Sequence, residues 1–189
     1  YPLACLTQPR EETVPAEYAG LADSSVAVMI YADANTRYAH PRVAEGVSAV
    51  VAEALRQAIP AVEVLPIEPV LRYQAANPYW DTEPKSETAE RLGAEHLLLI
   101  TLTEFRTREP GSLTLYRGRL TADAALYKTH RPEAAAQVWQ KRGLRVRYPE
   151  HTQVGTLEEA EDEIRYRTAL RFAQELVLCF RKHKVSAAP

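Results

Sequence analysis

Small and apolar residues recur at helical spacing near the end of the chain: Leu157, Ala160, Ile164, Thr168, Phe172, Leu176 and Cys179. A stripe this long needs a broad apolar surface to lie on, because only one face of such a helix can be hidden. It predicts a helix over about residues 157–182, roughly 40 Å long, enough to cross a whole β-sheet. Glu158, Glu159, Glu161, Asp162 and Glu163 fill its first turns and Arg181, Lys182, His183 and Lys184 its end. That order of charge complements the helix dipole at both ends.

The preceding chain supplies candidates for the sheet. Residues 25–31 form a short apolar run and read as a buried strand. Residues 33–37 read as a loop, and Pro41 suits the first turn of a helix. Val43, Val47, Val50, Val51, Ala54, Leu55, Ala58 and Ile59 give that helix its stripe, and Pro60 ends it. Residues 62–67 read as a second strand, placed at an edge by Pro66, which cannot donate to a ladder. A short helix is expected around residues 70–76, then an aromatic loop, then a helix over 86–92 stopped by Gly93.

Residues 95–105 are the most apolar strand and are expected at the centre. Pro110, Gly111 and Ser112 turn the chain. From Leu113, Tyr116, Gly118, Leu120, Ala122, Ala124 and Leu126 alternate with Arg117, Arg119, Thr121 and Asp123. A turn at 130–133 leads to a strand over 137–148, with Val138, Leu144, Val146 and Tyr148 on one face and a bulge at Gly143. The order predicts an α+β fold: a mixed sheet of about five strands, with a parallel crossover first and an antiparallel meander after it. Helices are expected on one face, with the long C-terminal helix among them. Residues 24–184 read as one domain, 1–23 as a tether or an edge wrapping, and 185–189 as a disordered tail.

Composition narrows the function. The 189 residues carry 23 basic and 25 acidic side chains, a net charge of −2. A strongly basic surface, as nucleic-acid or anionic-membrane binding requires, is disfavoured. The longest apolar run, residues 97–100, is far below the ~20 residues that span a bilayer. His40, His96, His130, His151 and His183 are scattered, and none is spaced with another His or Cys as zinc ligands are. There is no Gly-x-Ser-x-Gly elbow and no glycine-rich phosphate loop. No metal, cofactor or catalytic motif is therefore expected. The alternative is an enzyme or small-ligand binder with a site near Asp33, Asn35 and His40, where α/β sheets place ligands. Glu83 is another loop carboxylate, of a kind usually only solvated.

Of the two cysteines, Cys179 falls on the last helical stripe and reads as a small buried hydrophobe. Cys5 follows Pro2, Leu3 and Ala4 and precedes a polar stretch. This resembles the lipobox at which bacterial lipoproteins are cut and lipidated, with Pro2 in place of the usual leucine. The expectation is a lipid-anchored periplasmic or outer-membrane protein. The alternative is an ordinary exposed cysteine in the tail of a cytoplasmic protein.

Two surfaces are candidates for a partner. Arg117, Arg119, Lys141, Arg142, Arg145 and Arg147 fall on two adjacent strands. They would form a basic stripe, or a solvated face balanced by Glu104, Asp123 and Glu150. Arginine makes bidentate contacts with carboxylates and phosphates, so a further alternative is a polyanion binder through this arginine-rich sheet face; the stripe lacks the interleaved aromatics of a single-strand nucleic-acid site. Tyr73, Tyr79 and Trp80, among prolines, are either a lid on the core or an exposed anchor.

The apolar strand at 26–30, its long alanine/valine helix, the strand at 62–66 and the stretch Leu-Gly-Ala-Glu-His-Leu-Leu-Leu-Ile at 92–100 resemble a family of bacterial envelope domains. The family includes the curli-secretion channel lipoprotein, the lipoprotein activators of penicillin-binding proteins and the N-terminal domain of the Tol translocation protein. The resemblance covers about residues 24–183 and implies a non-catalytic lipoprotein that contacts an envelope protein or assembles with itself. The channel-forming member inserts long hairpins between strands. Here the turns at 110–112 and 130–133 have no room for them, so the soluble members are the better match.

Overall fold

The computed structural model describes residues 11–151, 155–157 and 160–186. Its apolar run becomes β2 (Ser25–Ala32), buried along most of its length. A strand apolar on both sides must be covered on both faces. It lies inside a five-stranded sheet of order β3-β2-β4-β5-β6, with β3 (Glu63–Val64), β4 (His96–Arg108), β5 (Tyr116–Lys128) and β6 (Gln137–Tyr148). β2 runs parallel to β3 and β4, whereas β4, β5 and β6 form an antiparallel meander. This is the mixed α+β sheet read from the sequence, and the strand before Pro66 takes an edge.

One face is covered by α2 (Val43–Ala58) and α6 (Glu161–Leu178). Val47, Val51 and Leu55 of α2 and Phe172 and Leu176 of α6 meet Val28, Ile30, Leu98, Ile100, Leu120 and Leu126 of the sheet. α6 lies very close to β5. A Cβ placed on Gly118 would stand 1.6 Å from the hydroxyl oxygen of buried Thr168.

The helices expected on one face are thus α2 and α6, but a second layer exists. α3 (Ile67–Ala76) and α4 (Lys85–Leu92) pack on the reverse face, where Val70 and Ala89 meet Ala27, Met29 and Leu97. That layer reaches Tyr127 of β5. Beyond it, the reverse face of β4, β5 and β6 carries polar and charged side chains.

Several boundaries differ from expectation. Residues 33–37 hold part of a short helix, α1 (Ala34–Ala39), whose first turn is capped by Asp33. A single turn, α5 (Glu133–Ala136), precedes β6. α6 is shorter than expected, about 27 Å long; Leu157 lies outside it and is exposed. It ends at Leu178 because the next residues turn inward: Phe180 stacks edge-on with Trp139, with ring centroids 4.7 Å apart, and the Cys179 carbonyl accepts the Glu17 and Tyr18 N–H groups. Arg181 to Lys184 therefore lie beyond the helix and do not complement its dipole.

The ends of the domain are corrected too. β1 (Glu11–Val14) pairs antiparallel with β7 (His183–Ser186) in a two-stranded ribbon, Leu21 is fully buried, and Glu17 and Tyr18 bind the body of the domain. Over residues 11–23 the edge wrapping replaces the tether, and Val185 and Ser186 belong to a strand rather than to a tail. Among the described residues, no helix is long and apolar enough to cross a membrane.

Candidate interaction surface

The uncovered reverse face begins with a register. Arg106 of β4 stands opposite Arg119 of β5, and Arg119 opposite Arg147 of β6. Three arginines therefore form one row across three strands. In the next row, Glu104, Thr121 and Arg145 stand opposite one another. Like charges directly opposite are destabilising unless compensated. Glu104 lies 3.5 Å from Arg106, and Glu109 lies 3.3 Å from Arg119. Arg147 donates to the Glu150 carbonyl at 2.8 Å. Arg145 is exposed, and its side chain has no hydrogen bond or ion pair among the described residues.

Two expectations about this face are overturned. Arg117 is not exposed: it is 3 % accessible, and its Nε lies 2.9 Å from Glu109 Oε2. Alternation placed it with the solvated residues, but the turn after β4 brings Glu109 down over it. Lys141 leaves the stripe because the bulge at Gly143, expected from the sequence, shifts the alternation by one residue. Lys141 consequently stands opposite buried Ala124, and Trp139 opposite Leu126, on the core side with Leu144 and Val146. Gly143 occupies the left-handed region at φ +64°, and its N–H donates to Asp123.

Beside this face lies a hollow of about 670 Å³ lined by Glu104, Arg119, Arg145, Arg147, Arg171 and Glu175, among others. Arg106, Glu109, Arg171 and Glu175 were not singled out from the sequence. The spacing of Glu104 and Arg106 on a strand could have revealed the first of them. The helix residues could not be found without knowing how α6 lies against β6.

The aromatic segment divides. Trp80 stacks edge-on with Tyr31, with centroids 6.0 Å apart, and Tyr73 donates to Glu83, which is also ion-paired with Arg91 at 3.3 Å. These two aromatics belong to the lid. Tyr79 is 78 % exposed, as the second alternative requires. The loop is fixed from below by buried Lys85, whose Nζ donates to the carbonyls of Trp80, Asp81 and Glu83. Burial holds the Lys85 pKa below its ordinary value, opposed by nearby carboxylates.

The N-terminal wrapping is held at two points. Glu17 accepts from Trp139 Nε1 at 3.0 Å and pairs with Lys141 at 2.5 Å. Burial would raise its carboxyl, but the hydrogen bonds from Lys141 and Trp139 outweigh it and hold it below the usual range. Tyr18 meets His96 Nε2 at 3.0 Å, and Ser24 meets His96 Nδ1 at 3.3 Å. Ser24 also donates to the Leu21 carbonyl at 3.0 Å. With that proton committed, Ser24 accepts from Nδ1–H, and Nε2 accepts from the Tyr18 hydroxyl.

The alternative site near the end of β2 is not brought together as one cluster. Asp33 Oδ1 accepts the Thr36 N–H at 2.7 Å as a helix cap. His40 stacks edge-on with Phe105 at 4.9 Å and lines a small hollow with Arg42 and Arg165, a hollow that Asp33 and Asn35 do not line. Burial lowers the His40 pKa, and Arg165 adds to the effect. Cys5, the expected lipidation site, lies outside the described residues. Cys179 is buried as expected.

No protein-family model and no curated protein matches this sequence. Solved structures do match. A PelC dodecamer from Paraburkholderia phytofirmans is 11% identical over 91% of this chain and 98% of that one, with a TM-score of 0.51. Lipoprotein GNA1162 from Neisseria meningitidis is 15% identical over 81% of this chain and 98% of that one, with a TM-score of 0.49. At such identities the likeness to PelC is one of fold.

Proposed function

We propose that this domain is a non-enzymatic component of the bacterial cell envelope, anchored through a lipid on Cys5 and acting by contact with an envelope protein or with further copies of itself. The observation that carries the reading is the uncovered charged half of the sheet, bordered by an ordered loop presenting Tyr79. A chain folded like PelC, which assembles as a dodecamer, supports self-association as one form of that contact. Cys5 stands six positions before Glu11. That spacing would hold the β1–β7 ribbon within about 20 Å of the anchor even with the chain extended.

The test is made on protein taken from its native host. Mass spectrometry is expected to find a diacylglyceryl group on Cys5. Cross-linking in intact cells, followed by light scattering of the purified protein, is expected to find a protein partner or a multimer that is lost in a Tyr79→Ala or Arg145→Glu variant. An unmodified cysteine in a cytoplasmic protein would remove the location. A strict monomer with no cross-linked protein would remove the mode of action.

A further inference from the structure

We propose that the free edge of β6 accepts an extended acidic segment of a partner protein as a sixth strand, with alternate carboxylates of that segment seated on Arg145 and Arg147. This rests on the reading of the domain as one that works by protein contact, and it names the chemistry of the partner.

β6 is the last strand of the sheet and twelve residues long. Among the described residues, no backbone hydrogen bond from outside the sheet reaches residues 144–147. A long edge offers unpaired N–H and C=O groups to any extended chain, and charged side chains are a usual means of controlling which chain takes it. Arg145 and Arg147 are two residues apart on one side of the strand, both exposed. Their spacing of roughly 6.8 Å is also the spacing of alternate side chains on an added strand.

Charge then selects the occupant. Arg106 and Arg119 have carboxylate partners, but Arg145 has none and Arg147 reaches only a carbonyl. Both rows therefore end at the edge in an arginine without a carboxylate partner among the described residues. A second β6 paired there by two-fold symmetry would set arginine against arginine. A strand with Asp or Glu at every second position reverses that repulsion and offers each guanidinium a planar, bidentate partner. Main-chain pairing supplies the common part of the affinity and the alternate side chains the selectivity, as in other strand-addition modes. Glu104, Glu150 and Glu175 line the adjoining hollow. They oppose a polyanion with a charge at every unit, but not a strand that places carboxylates only over the two arginines.

The experiment uses the full chain and a labelled ten-residue peptide alternating glutamate and threonine, read by fluorescence anisotropy. Reversing both charges, Arg145→Glu with Arg147→Glu, is expected to weaken binding by about tenfold or more. Arg72→Glu, on the far-lying α3, is expected to leave it unchanged. N-methylating alternate backbone nitrogens of the peptide keeps its charge and is expected to abolish binding in at least one of the two frames. Undiminished binding of both N-methylated peptides, or displacement by polyphosphate as effective as displacement by unlabelled peptide at equal charge, overturns the proposal in favour of a plain anion-binding patch. The two arginines are exposed, so an unchanged melting temperature excludes misfolding of the variant. Peptide binding without any envelope partner would overturn the proposed function and leave the edge site standing. An envelope complex indifferent to Arg145 and Arg147 would do the reverse.

Discussion

His96 stands 1 % accessible at the start of β4, joined to the N-terminal wrapping through Tyr18 and Ser24. Burial holds its pKa below the ordinary value, and Lys128 adds to the effect. The sign follows from proton counting. An unfolded histidine takes up its proton near pH 6.5, whereas this one resists until a lower pH. Between those points the unfolded chain binds more protons, so stability falls as pH falls. Urea unfolding of wild type should lose midpoint concentration between pH 7 and pH 5, and His96→Gln should flatten that loss; a midpoint that rises on acidification contradicts this assignment. Glu17 acts in a lower window. Its depressed carboxyl contributes stability above the ordinary carboxylate pKa of about 4.3, and that stability is lost as pH falls through the folded value. Lys85 offers a test without pH. Lys85→Met leaves three loop carbonyls without their shared donor and should cost about 2 kcal/mol in denaturant unfolding.

At the scale of elements, the contact of α6 with β5 depends on the missing side chain of Gly118. Gly118→Ala pushes a methyl into Thr168 and should cost about 2–3 kcal/mol. A cycle with Thr168→Ala should show coupling of more than about 0.5 kcal/mol, because the two sites share one space; simple additivity would show that the helix moves freely. The elements themselves were largely legible. Helical stripes located α2 and α6, the apolar run located β4, and Gly143 announced its bulge. What escaped was set by distant partners. The end of α6 depends on Phe180 meeting Trp139, forty-one positions earlier in the chain, and nothing in the spacing of residues 181–184 records it. The concealment of Arg117 depends on Glu109, which nothing in the sequence singled out. The second helical layer could have been read from β2, whose apolar residues do not alternate. In the candidate surface, Arg119, Arg145 and Arg147 were visible as a set, but Arg106 and its alignment with Arg119 and Arg147 in one row needed the register of three strands.

For the whole molecule, cover is uneven. β2 and β4 have strands on either side and helices on both faces, whereas β6 has one strand neighbour and one covered face. Amide hydrogen exchange should therefore be slowest in β2 and β4, faster through β5 to β6, and fastest in the β1–β7 ribbon. Exchange of the ribbon and the sheet as one cooperative unit would contradict this order. The ribbon has a mechanical consequence as well. Glu11 and Ser186 are paired at its outer end, while Val14 and His183 adjoin the domain. Tension applied between the two chain ends opens this ribbon like a zipper, one pair at a time, and never loads its hydrogen bonds together in shear. It yields first and at low force, from Glu11 and Ser186 inward, while the five-stranded sheet stays folded.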